Sequence, residues 1–137
     1  MDQLFAIVAK LLTQKGVQFS SREEGLHIAL PSGFGEIEIG KLEGDDTIIG
    51  IVGHEWHTHG DLLVPAYGND IPSAIVAFLD AIFSGELKMI EYQLPGEKPK
   101  RIIEDDLESF LKYQQPGERN RVFDPKQNPE QTAPADR

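Results

Sequence analysis

Apolar positions recur along this chain in two different periods. From Asp2 to Lys15, Leu4, Ile7, Val8, Leu11 and Leu12 fall at helical spacing, and Gly16 follows as a stop, so the N-terminus predicts an amphipathic helix. Val17–Ser20 reads as a short strand. The period then changes to two. Leu26, Ile28 and Leu30 alternate with His27 and Ala29, Pro31–Gly35 turns the chain, and Ile37 and Ile39 alternate with Glu36 and Glu38. This predicts a β-hairpin with one apolar and one wet face. After a turn at Glu43–Asp46, Thr47–Val52 is continuously apolar and reads as a central strand covered on both faces. Leu62-Leu63-Val64 is a second apolar run, which makes the segment between the two part of a strand or a short break between strands.

Pro65–Asp70 reads as a loop. Ile75, Phe78, Leu79 and Ile82 then form the apolar stripe of a second helix at about 71–84, with Asn69, Asp70 or Ser73 as its cap and Gly85 as its end. Leu87–Leu94 predicts one more strand, pairing beside the central ones. The compact domain is therefore expected over residues 1–95. A basic linker, Lys98–Arg101, and a helix over 102–113 follow, and 114–137 is too poor in apolar side chains to repay ordering. Strands cluster between helices rather than alternating with them. The fold class is accordingly α+β, with an antiparallel sheet of about five strands packed by the two helices.

A chain of 137 residues suffices for one core without staples, and with no cysteine neither disulfides nor thiolate metal sites arise. The N-terminus lacks the pattern of a signal peptide and no segment approaches the roughly 18 apolar residues of a membrane span, so a soluble cytoplasmic protein is expected. Charge adds more. The net value is −10, and residues 1–94 hold 14 Asp or Glu against 5 Lys or Arg, while 95–137 hold 9 against 8. Such a surface repels nucleic-acid phosphates and attracts a basic protein partner.

Chemistry concentrates in Gly53–Asp61, which carries three of the four histidines and the sole tryptophan. On a strand, Glu55, His57, His59 and Asp61 would share one face and Trp56, Thr58 and Leu62 the other. Two histidines one residue apart lie about 6.6 Å apart along a strand, close enough to share one ion. With Asp61, Glu55 or Asp70 as oxygen ligand, the set His57, His59, Asp61, Asp70 suits zinc or iron, and a mononuclear metal-dependent hydrolase is one reading. In part the spacing resembles the JAMM metallopeptidases: His57-Thr58-His59 precedes Asp70 at the distance that motif requires, and Glu36 or Glu38 stands in for the upstream shuttle. Tyr67 occupies the place of that family's serine. Cupins also carry His-x-His, but their all-β barrel does not fit a chain with a helix at 71–84. No Gly-rich phosphate loop and no nucleophile elbow is present. The plainest reading makes Trp56 a packing residue, with histidines bonded to nearby carboxylates, His27 an exposed strand residue and His54 a cap on the approach.

Trp56-His57-Thr58-His59-Gly60-Asp61, a helix containing Ala77-Phe78-Leu79, and Ser84-Gly85-Glu86 before a strand resemble small bacterial proteins with a Trp-His-x-His-x-Asp signature, which in turn resemble immunity proteins of polymorphic toxin systems. The similarity spans roughly residues 24–94. Gly60 departs from it where an aromatic residue is expected, which would free the loop after His59. The resemblance implies a fold and a binding role, that of neutralising a cognate basic toxin, with no catalytic residue and no cofactor. The expected partner surface comprises Glu36, Glu38, Glu55, His57, His59 and Asp61.

Overall fold

The computed structural model describes residues 3–23, 25–41 and 47–125. Helix α1 (Gln3–Gln14) leads into strands β1 (Ser20–Arg22), β2 (Gly25–Ala29), β3 (Glu36–Lys41), β4 (Thr47–Ile51) and β5 (His57–His59). Helices α2 (Gly60–Tyr67) and α3 (Ile71–Ser84) follow, then β6 (Lys88–Gln93), β7 (Lys100–Glu104), α4 (Leu107–Lys112) and β8 (Arg119–Phe123). The first five strands form one antiparallel sheet in sequence order, and the last three form a second, ordered β7-β6-β8. The fold class is α+β, as the periodicities predict.

Register explains which side of the larger sheet is buried. Leu26 pairs with Ile39 and Ile39 with Ile49, while Ile28 pairs with Ile37 and Ile37 with Ile51. These six side chains are almost wholly buried and form one core with Val8 and Leu12 of α1 and Ile75, Leu79 and Ile82 of α3. A one-residue slip would turn every one of them to the other face, so the pairing is strongly specified. The long helix α3 matches its expected span. Asp70 caps it by accepting from the Ser73 amide at 2.8 Å, and Gly85 ends it at φ 88°, a conformation that favours glycine.

Five expectations are corrected. Strand β4 is neither central nor covered on both faces: β3 holds the centre, and β4 buries Thr47, Ile49 and Ile51 while Ile48 and Gly50 are partly exposed. Leu62–Val64 is helical rather than extended, within α2, since a run of three apolar residues carries no period that separates strand from helix. Gly60 is not a loosened loop position but the buried first residue of α2; a Cβ there would lie 2.7 Å from Ile71 Cγ2 and 3.3 Å from Thr47 Cβ, so close packing requires the missing side chain. The strand after α3 joins the second sheet instead of the first. Finally, residues 102–113 divide into the end of β7 and the six-residue α4, and the chain from Gln114 is not all tail: β8 pairs with β6, and Phe123 joins the core. Residues 126–137, and the turn expected at 43–46, lie outside the described residues.

The compact part therefore extends past residue 95, and Arg101 is one of the residues that join its two sheets. Phe34, from the turn between β2 and β3, is fully buried and meets Phe123 edge-on at 4.8 Å. The Arg101 guanidinium lies 5.3 Å from both rings, donates to the Phe34 carbonyl and to the Gly33 carbonyl at 3.4 Å, and pairs with Glu91 at 2.8 Å. Ser32 adds a hydroxyl donated to the Asp124 carbonyl. On the far side of the second sheet, Phe110 of α4 meets Tyr92 edge-on at 5.6 Å. No single helix among the described residues is long and apolar enough to cross a membrane; α2 and α3 together are, but they bend by 73° and α3 is largely buried in the core.

Candidate functional site

Opposite the core, the larger sheet carries its polar positions. The register aligns His27, Glu38, Gly50 and His57 in one row across four strands. Glu36 stands beside this row, paired with Ala29, and His59 stands on its other side, paired with Ile48. Exposure confirms that the face is open: Ala29 and His57 are exposed, and the Glu36 and Glu38 side chains keep about a third of their surface, 33% and 37%.

His27 is corrected from exposed to buried, at 4% of its surface. The neighbouring glutamates close over it: its Nδ1 hydrogen-bonds to Glu36 Oε1 and its Nε2 lies 3.6 Å from Glu38 Oε2. Arg22 adds a contact of 3.4 Å to Glu36. Thus Glu36 belongs to a small network of mixed charge, while Glu38 stands between that network and the row's far end.

The segment leaving β4 folds back before β5 begins. His54 donates its backbone N–H to the Ile51 carbonyl at 3.0 Å, and Ile51 donates to the Trp56 carbonyl at 3.4 Å. The imidazole of His54 turns toward the second sheet, its Nδ1 accepting the Arg101 backbone N–H at 3.3 Å. Burial, and after it the Arg101 charge, hold the His54 pKa below the ordinary 6.5, against the opposing pull of Glu91.

Trp56 is half-buried and stacks on Phe78 at 6.2 Å with 6° between the rings, and Tyr67 meets the same phenyl edge-on at 5.7 Å. Trp56 and His57 thus take opposite faces, as the alternation predicts. His57 donates Nδ1–H to the Glu55 carbonyl at 3.0 Å, and its ring lies 5.5 Å from that of His59.

The alternation ends there, and with it the proposed metal set. Asp61 is not on the strand but in the first turn of α2, where a carboxylate suits the helix N-terminus. Asp70 is the cap of α3; its hydrogen bond from the Ser73 amide holds its carboxyl below the ordinary 3.8. Among the described residues no three of His, Cys, Asp or Glu come together in a way that could hold an ion. The set His57, His59, Asp61, Asp70 does not assemble, because the strand is only three residues long and its successor is a helix.

What does assemble is a shallow groove of about 270 Å³ on the open face, lined by Glu38, Ile48, Gly50, Val52, Glu55 and His57 among others. Gly50 makes room for it. A Cβ there would stand 3.3 Å from the Trp56 carbonyl oxygen and 3.5 Å from His57 Cβ. Gly50 and Val52 stand outside the expected partner surface. The signal available was a glycine inside an otherwise β-branched run, which marks a close approach of backbone or ligand.

Of the expected partner-binding residues, Glu38, Glu55 and His57 meet at this groove, Glu36 lies two residues before Glu38 on β3, and His59 and Asp61 lie toward the start of α2. No protein-family profile, curated protein or solved structure matches the chain.

Proposed function

We propose that this chain is a protein-binding module of the immunity type, whose open sheet face takes a basic protein and, in the setting the signature resemblance implies, neutralises it. The observation that supports the reading is the cross-strand row from His27 through Glu38 and Gly50 to His57, flanked by Glu36 and Glu55, on a face left open by the helices. Fourteen acidic against five basic residues in positions 1–94 give this part of the chain a long-range attraction for cations, and Glu36, Glu38 and Glu55 carry acidic charge on the open face. Attraction of this kind accelerates encounter more than it slows dissociation.

The test is paired capture from a lysate of the source cells, with the wild-type chain and the Glu36→Lys, Glu38→Lys double variant as baits. The reversal leaves the inward Ile37 and Ile39 untouched but removes the Glu36 acceptor of the buried His27, so circular dichroism of the variant first establishes that it is folded. A basic protein retained by the wild type and lost by the variant is expected, with an association rate that falls as salt rises and a dissociation rate that changes little. A partner whose association rate ignores both salt and the reversal would refute the reading.

A further inference from the structure

The groove at the end of β4 has a size and a lining that select one kind of side chain, and we infer that it seats a single arginine from the partner. The inference rests on the sheet-face reading above and deepens it. At about 270 Å³ the groove falls below the roughly 300–1,000 Å³ of sites that enclose whole small molecules, and it lies open on a sheet face rather than in a cleft. A side chain projecting from another protein fits such a place; a free metabolite would remain mostly in water.

The chemistry of the walls sets the charge of the occupant. Glu38 stands on β3 and Glu55 in the turn before β5, so carboxylates approach the groove from two elements, and among the described residues no lysine or arginine lines it. His57 has its Nδ1–H committed to the Glu55 carbonyl, which fixes the ring at the margin. The apolar part of the lining, Ile48 with Val52, suits the methylene stem of a long cation, and Val52 is among the few large apolar side chains exposed in the structure.

Arginine is favoured over lysine by shape. Its planar guanidinium presents several N–H donors in a fixed fork and can bond two carboxylates at once, whereas an ammonium is a compact and more strongly hydrated point charge. The floor at Gly50 carries no side chain to hold a flat group away from the backbone.

The experiment titrates the full chain with an acetylated hexa-arginine peptide at low salt. Emission from Trp56, the only tryptophan, and backbone amide shifts in NMR are the readouts. The emission should change, with shifts centred on residues 50–57. Glu55→Gln and Glu38→Gln should each weaken binding by about threefold to tenfold, the loss of one charge-assisted contact at a partly exposed site. Glu86→Gln, which removes the same charge from the exposed residue after α3, should leave affinity unchanged, and hexa-lysine should bind more weakly.

Binding whose shifts centre on β1–β3 and which ignores Glu55→Gln would overturn the groove while leaving the sheet face as the partner surface. Equal loss in Glu86→Gln would show diffuse attraction, and equal affinity for hexa-lysine would remove the case for arginine. Failure of the sheet-face reading is separate: it is a captured partner indifferent to the Glu36, Glu38 reversal.

Discussion

Arg101→Ala tests whether the two sheets are held by the joint described above. The Arg101 and Glu91 side chains are 24% and 23% exposed, so their pairing lies between two regimes. Exposed pairs contribute at most about 1 kcal/mol, while breaking a fully buried one costs about 3–5 kcal/mol. An intermediate of about 2–3 kcal/mol is reasonable, and the same side chain also covers Phe34 and Phe123, contacts of about 0.5–1 kcal/mol each. Because all these contacts belong to one group they do not simply add, and a total of about 3–4 kcal/mol is expected, a large share of the roughly 5–15 kcal/mol available to a domain.

Urea denaturation followed by circular dichroism measures the loss directly, and the midpoint of thermal unfolding should fall by about 10–15 °C. Arg101→Lys keeps the charge but not the fork that reaches Glu91 and the Phe34 carbonyl together, and should lose about half as much. Combining Arg101→Ala with Glu91→Gln should recover part of the sum of the single effects, because the second change removes the carboxylate that the first leaves unpaired. A variant within about 0.5 kcal/mol of wild type, the range of ordinary surface substitutions, would refute the joint.

Two further expectations follow from single residues. Asn120 is 2% exposed, and its amide nitrogen and oxygen find no hydrogen-bond partner among the described residues, so Asn120→Val should raise stability by about 1–3 kcal/mol, and a lower urea midpoint would count against it. His54 has a depressed pKa in the folded state, so its contribution to stability is fully present above the ordinary 6.5 and is lost as pH falls through the lower folded value. Denaturation midpoints measured from pH 7.5 down to 5 should therefore decline less steeply in His54→Gln than in wild type; identical slopes would exclude His54 as a source of the dependence.

What the sequence determined by itself was the set of contacts that depend on period alone. Five apolar residues at helical spacing made α1, fourteen residues between a capping aspartate and a left-handed glycine made α3, and alternation in β2 and β3 divided Leu26, Ile28, Ile37 and Ile39 from His27, Glu36 and Glu38. Period also placed Trp56 and His57 on opposite faces. Each follows from backbone geometry repeated over neighbouring residues, with no need to know what lies across the core.

The tertiary structure decided whatever depended on partners distant in the chain. Leu62–Val64 became helix, although three apolar residues suit either state, because Gly60 lets α2 press against Ile71. His27, polar and on the wet face, became buried because Glu36 and Glu38 from the next strand close over it. Residues 119–123 became a strand because Met89 and Ile90 of β6 and the ring of Phe34 supply the apolar surface that the segment lacks alone. Most of all, the groove exists because β3, β4 and the turn before β5 bring Glu38, Gly50 and Glu55 together. Pairing register and the path of a turn set that juxtaposition, and neither is written in the local pattern of any one segment.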